Sequence, residues 1–165
     1  MSSKCKIVNV ILNSNNKASG TNNQATYYMD WGSILKDNTP YKLHFTYIGG
    51  ANTITGTKLA LVYAEFNTSN KLNNSTQNGA STSQMLGFLK PVVFVGSSNS
   101  DYLQAEDNTN VPTYLANRPN NNQFTITIND NSSTPALFLD NAATPVANAN
   151  YVMMLSFREI DQADE

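Results

Sequence analysis

At 165 residues the chain has the length of one domain, able to bury close to ~70% of its unfolded surface without help from a disulfide or a metal. Only 13% of its residues are charged, against about 25% in a typical domain, and the net charge is -2. Arg118 and Arg158 are the only arginines and no lysine cluster exists, which argues against nucleic acid as a partner, because gripping phosphates requires clustered cations.

Polarity comes instead from amides and hydroxyls: the chain holds 25 Asn, 16 Thr and 15 Ser. The single cysteine, Cys5, can form no internal bridge and matches no zinc-binding spacing, which fits a reducing compartment.

The first element in chain order is "KIVNVIL" at 6–12, apolar on both faces, which predicts a central strand covered on both sides. It is too short and too polar for a signal peptide's apolar core, and nothing in the chain approaches the ~18 to 20 apolar residues of a membrane span. "ATYYMD" at 25–30 predicts a strand that ends in a turn at Trp31 and Gly32. In "YKLHFTYI" at 41–48, Tyr41, Leu43, Phe45 and Tyr47 alternate with Lys42, His44 and Thr46, the pattern of a strand with one buried face. "KLALVYAEF" at 58–66 reads as a second central strand, and "QMLGFLKPVVFV" at 84–95 as a strand divided at Pro91, which has no N–H to give a ladder. A short strand around Tyr102 follows, then "QFTITIND" at 123–130, "ALFL" at 136–139 and "YVMMLSFRE" at 151–159, where Tyr151, Met153, Leu155 and Phe157 share a face.

Between the strands lie polar segments such as "NTSNKLNNSTQNGAST" and "EDNTNVPTYLANRPNNN", whose side chains satisfy their own backbones in turns. No stretch of ten residues repeats apolar positions at helical spacing. The expectation is an all-β fold: a single antiparallel β-sandwich over 1–165 with about eight strands, and a frayed acidic tail at 161–165. Connections longer than hairpin turns suit Greek-key crossings between two sheets, so a jelly roll is preferred to an immunoglobulin-like sandwich.

No catalytic residue, cofactor site or metal site is assigned. His44 and Cys5 are the only His and Cys, and sites are recognised by paired groups. His44 falls mid-strand on the less apolar face. Asp101, Glu106, Asp107, Asp130 and Asp140 are read as solvated loop acids, although a facing pair of them could serve glycoside hydrolysis. Trp31 reads as a cap over the sandwich, with Asp30 tying down turn amides. The alternative is a sugar platform, in which an exposed aromatic stacks on a pyranose. Trp31, Tyr102 and Tyr114 are its candidate contacts.

The stretch "YYMDWGSILKDNTPYKLHFTYIGG" resembles a segment of the small single jelly-roll capsid proteins of large double-stranded DNA viruses. There a strand ending near Asp-Trp leads through a turn into an alternating aromatic strand, matched here by Asp30, Trp31, Tyr41, Leu43, Phe45 and Tyr47. "YVMMLSFREI" is similar to the closing strand of such chains through Tyr151, Leu155 and Phe157. The resemblance covers about a quarter of the chain. It implies a minor capsid or penton-like virion component, assembled in the host cell interior or otherwise soluble and intracellular. Its expected partners are copies of itself or other capsid subunits. The runner-up is a carbohydrate-binding, lectin-like sandwich module with a glycan as partner.

Overall fold

A strand buries its alternate residues, and in the computed structural model that rule builds ten strands among the described residues. The structure describes residues 6–22, 24–50, 60–66, 84–92, 102–105, 113–130 and 150–160. The strands are β1 (Ile7–Asn13), β2 (Ser19–Gly20), β3 (Gln24–Tyr28), β4 (Tyr41–Gly50) and β5 (Ala60–Ala64). After these come β6 (Gln84–Val92), β7 (Tyr102–Ala105), β8 (Thr113–Leu115), β9 (Gln123–Asp130) and β10 (Tyr151–Glu159). A four-residue helical turn, α1 (Trp31–Ile34), joins β3 to β4.

All pairings are antiparallel, and they nest. First pairs with last in β1–β10, then come β3–β9, β4 with β7 and β8, and β5–β6 innermost. That is one long hairpin rolled over on itself, a jelly roll. One layer is β1–β10–β4 with β8 beside the start of β4; the other is β6–β5–β9–β3 with β2 at its rim. β7 pairs with the ends of both β4 and β6 and so joins the layers along one side. The steps β1–β2, β3–β4, β4–β5, β8–β9 and β9–β10 each pass from one layer to the other, so tight hairpins cannot serve as those connections.

The expected core faces are in place. Tyr41, Leu43, Phe45 and Tyr47 are buried, as are Phe124, Ile126 and Ile128 from β9 and Tyr151, Met153, Leu155 and Phe157 from β10. Across the sandwich, Tyr27 Oη donates to Tyr151 Oη at 2.9 Å, which satisfies the Tyr27 hydroxyl deep in the apolar interior. Tyr47 stacks on Tyr151 with ring centroids 5.1 Å apart, yet its hydroxyl is buried with no partner among the described residues. Burial pushes the Tyr47 hydroxyl far above its ordinary pKa, so it stays protonated. Tyr47→Phe removes an unsatisfied polar atom and is expected to raise the unfolding free energy by about 1 kcal/mol. A urea midpoint above the wild type checks this, and a midpoint below it contradicts it.

Several sequence expectations need correction. The 6–12 run is not a covered central strand: among the described residues β1 pairs only with β10 and forms the edge of its layer, with Val10 and Leu12 buried but Ile7 and Ile11 exposed at 57% and 68%. Of the 58–66 run, expected to be a central strand covered on both sides, β5 lies centrally between β6 and β9, but its outer side is not covered, since Tyr63 is half-buried and Glu65 exposed. Pro91 does not divide its strand, since β6 continues to Val92. The irregularity lies earlier, where Val62 opposes Gly87 but Tyr63 opposes Met85, leaving Leu86 as the extra residue of a bulge. Leu86 and Leu89 are three apart and would face opposite ways in a regular strand; the bulge lets both turn inward. Gly87 takes φ 153°, a conformation open to glycine. The segment 106–122, expected to be all loop, contains β8, too short to show alternation. The strand expected at 136–139 and the tail at 161–165 lie outside the described residues.

Candidate functional site

Two surfaces stand out: a polar cleft at the α1 corner, and the outer face of the β1–β10–β4 layer.

The corner is built around Trp31. With Asp30 leading in from β3, α1 turns the indole inward, where it is fully buried against Phe66, Phe124 and Phe157. Its Nε1 donates to the Asn121 carbonyl at 3.0 Å, tying the segment before β9 onto the corner. Asp30 does not tie down the turn with its side chain, contrary to expectation; its backbone carbonyl accepts from Ser33 Oγ at 2.8 Å instead. Outside Trp31 lies a shallow cleft of about 320 Å³, lined by Asp30, Gly32, Asp37, Asn117, Arg118 and neighbouring residues.

The cleft's polar groups mostly hold one another. Asn117 Nδ2 donates to Asp37 Oδ1 at 2.8 Å, Arg118 Nη2 lies 3.6 Å from Asp37 Oδ2, and Arg118 Nη1 donates to the Leu35 carbonyl at 3.2 Å. The Asn117 amide, then the Asn38 N–H, then the Arg118 charge hold the Asp37 carboxyl below its ordinary pKa. The sign follows: this tether is complete above the ordinary carboxylate range and is lost as pH falls through the lowered value. Asn117→Ala removes the largest of these causes, so an NMR titration should show the Asp37 midpoint moving up. An unchanged midpoint would contradict the arrangement. Arg118, one of two arginines in the chain, is the sequence signal for this corner.

The second surface follows from register. Outward residues fall into cross-strand rows: Ile7, Arg158, Lys42 and Tyr114; then Asn9, Ser156 and His44; then Ile11, Met154 and Thr46; then Asn13, Val152 and Ile48. Directly opposed side chains on one face lie about 4.5–5.5 Å apart, so members of a row touch. One end of the face is cationic, with Lys42 and Arg158. The other end is apolar, with Ile11, Met154, Val152 and Ile48 adjacent and Ile48 exposed at 58%. The outer face of the opposite layer carries Thr26, Thr125 and Thr127 in neighbouring rows, with Tyr28 and Phe88 exposed as well.

The residues singled out from sequence are therefore not brought together. Trp31 is 0% exposed, so neither face of its ring can stack on a sugar, and its platform role is withdrawn. Tyr114, at 49% exposure, stands on the outer face beside Lys42. Tyr102 opens β7, with its backbone opposite Gly50 and Val92. His44 lies on the same outer face, opposite Ser156. Of the acids, Asp130 ends β9 and the other four lie outside the described residues. Among the described residues no three His, Cys, Asp or Glu side chains come together as a metal site, and no helix is long and apolar enough to cross a membrane.

Comparison of the chain with protein-family models, with curated proteins and with solved structures gives no match.

Proposed function

We propose that this protein is a structural, non-catalytic assembly subunit, a minor capsid or penton-like jelly roll of a virion. The observation that carries the reading is the outer face of the β1–β10–β4 layer, where Ile11, Met154, Val152 and Ile48 form one apolar stretch beside a strand edge that pairs with nothing among the described residues. Water-facing apolar groups in a contiguous patch mark contact surfaces, and a chain with few charges brings copies together with little repulsion. The jelly-roll topology and the corner and strand motifs at Asp30, Trp31 and Tyr41–Tyr47 support the virion class by resemblance. The test is sedimentation of the purified chain, alone and mixed with shell proteins of the source particle, with mass spectrometry of purified particles. Association with particles is the expected result, and a strict monomer absent from them overturns the reading.

A second reading, an anionic-glycan-binding sandwich, is favoured by one feature: the exposed Tyr114 ring shares its row with Lys42 and Arg158. A tyrosine face with flanking cations suits an acidic sugar. Saturable binding on a glycan array, abolished by Tyr114→Ala, would favour this reading, and a silent array removes it.

A further inference from the structure

We infer that β1 is a self-pairing edge: two copies join through antiparallel pairing of their β1 strands about a two-fold axis at Asn9. The inference rests on the assembly reading and names its first contact.

The argument starts from where the backbone groups of β1 point. The Glu159 N–H donates to the Lys6 carbonyl, so residues 6, 8, 10 and 12 face β10 in the ladder. The N–H and C=O groups of Ile7, Asn9 and Ile11 therefore point away from β10, out of the sheet. Among the described residues nothing pairs with that edge. The side chains of these same three residues also lie on the exposed face.

Proteins blunt such edges with short strands, prolines or charges. The opposite rim follows that rule, because β2 has only two residues. β1 does not follow it: it runs for seven residues, "IVNVILN", with no Pro and no charge. Its spacing is symmetric about Asn9. A two-fold there sets Ile7 opposite Ile11 of the second copy, Asn9 opposite Asn9, and Val8 opposite Val10. Three hydrogen-bonded pairs form, at 7, 9 and 11, and the Ile11–Met154 row of one copy runs on into the Ile7–Arg158–Lys42 row of the other. Centring instead on Ile11 would oppose Asn9 to Asn13 and run Ile7 against the turn at Ser14–Asn16. The occupant that fits is a second copy of this chain, joined in the isologous manner common in dimers. A single strand pair is a small interface, so isolated dimers form weakly and gain strength when other contacts hold the copies together.

The test uses the full chain. Sedimentation up to several hundred micromolar should show reversible dimers. Asn9→Pro removes an N–H that the monomer's ladder does not use and should weaken dimerisation at least about tenfold, with circular dichroism and melting unchanged. In a Cys5→Ser background, Asn9→Cys should cross-link with oxidised glutathione, since opposed Cα atoms about 5.5 Å apart fall within disulfide reach. Thr46→Cys, in mid-sheet, should not. If Asn9→Pro dimerises like the wild type, or Asn9→Cys fails to cross-link, the pairing is overturned while assembly through another surface stands. A wild type that stays monomeric at all concentrations also overturns the pairing, and its presence or absence in particles then decides the assembly reading separately.

Discussion

Trp31→Ala is expected to lower the unfolding free energy by about 3–5 kcal/mol, the largest single effect in the molecule. The indole is fully enclosed, with ring centroids 5.2 Å from Phe124, 5.4 Å from Phe157 and 5.8 Å from Phe66. Phe157 belongs to one layer, whereas Phe66 and Phe124 belong to the other, so truncation opens a cavity at the place where the layers meet. The Asn121 carbonyl also loses its donor. Relaxation cannot readily fill the space, because Phe124 and Phe157 are held by their own strands and Phe66 sits just past the end of β5. Trp31→Phe keeps most of the apolar volume and loses the hydrogen bond, so its cost should be smaller, about 1–2 kcal/mol. Urea denaturation of both variants gives the comparison. A near-wild-type midpoint for Trp31→Ala would mean that the ring is not the plug described here.

The second large effect is expected at Gly49, for reasons of space. Its partner directly across the ladder is Tyr151, and a Cβ at position 49 would sit 2.6 Å from Tyr151 Cβ and 2.8 Å from Tyr47 Oη. Tyr151 Cβ is fixed by the backbone of β10 and cannot swing aside. The stacked Tyr47–Tyr151 pair exists because position 49 carries no side chain. Gly49→Val should destabilise by about 3 kcal/mol or more, and Gly49→Ala by less. Denaturation together with near-ultraviolet circular dichroism checks both the stability and the tyrosine packing. Wild-type values for Gly49→Val would contradict the tight approach.

The buried faces of β4, β9 and β10 were legible in the sequence because each strand has one wet side, and alternation is then a direct imprint of burial. β1 was misread because Ile7 and Ile11 are apolar without being covered. The residues Asn9 and Asn13 on the same outward face were the available sign that this side meets water, yet a four-residue pattern of Ile, Asn, Ile, Asn is ambiguous by itself. Edge position is a property of the whole topology, and no local window carries it. The same holds for the bulge at Leu86, which depends on the register with β5 and not on Pro91. The Trp31 cap was legible from a large ring at a strand end. The Arg118 corner was not, because Asp37 and Asn117 are 80 residues apart and only the β4–β8 pairing brings their segments together.

In the proposed assembly this fold acts through its sheet surfaces, with β1 as the joining edge. Amide hydrogen exchange read residue by residue, in dilute and in concentrated solution, tests it most directly. Val8, Val10 and Leu12 are expected to be protected in both, while Ile7, Asn9 and Ile11 exchange freely when dilute and become protected when concentrated. Equal, fast exchange at Ile7, Asn9 and Ile11 under both conditions would contradict it.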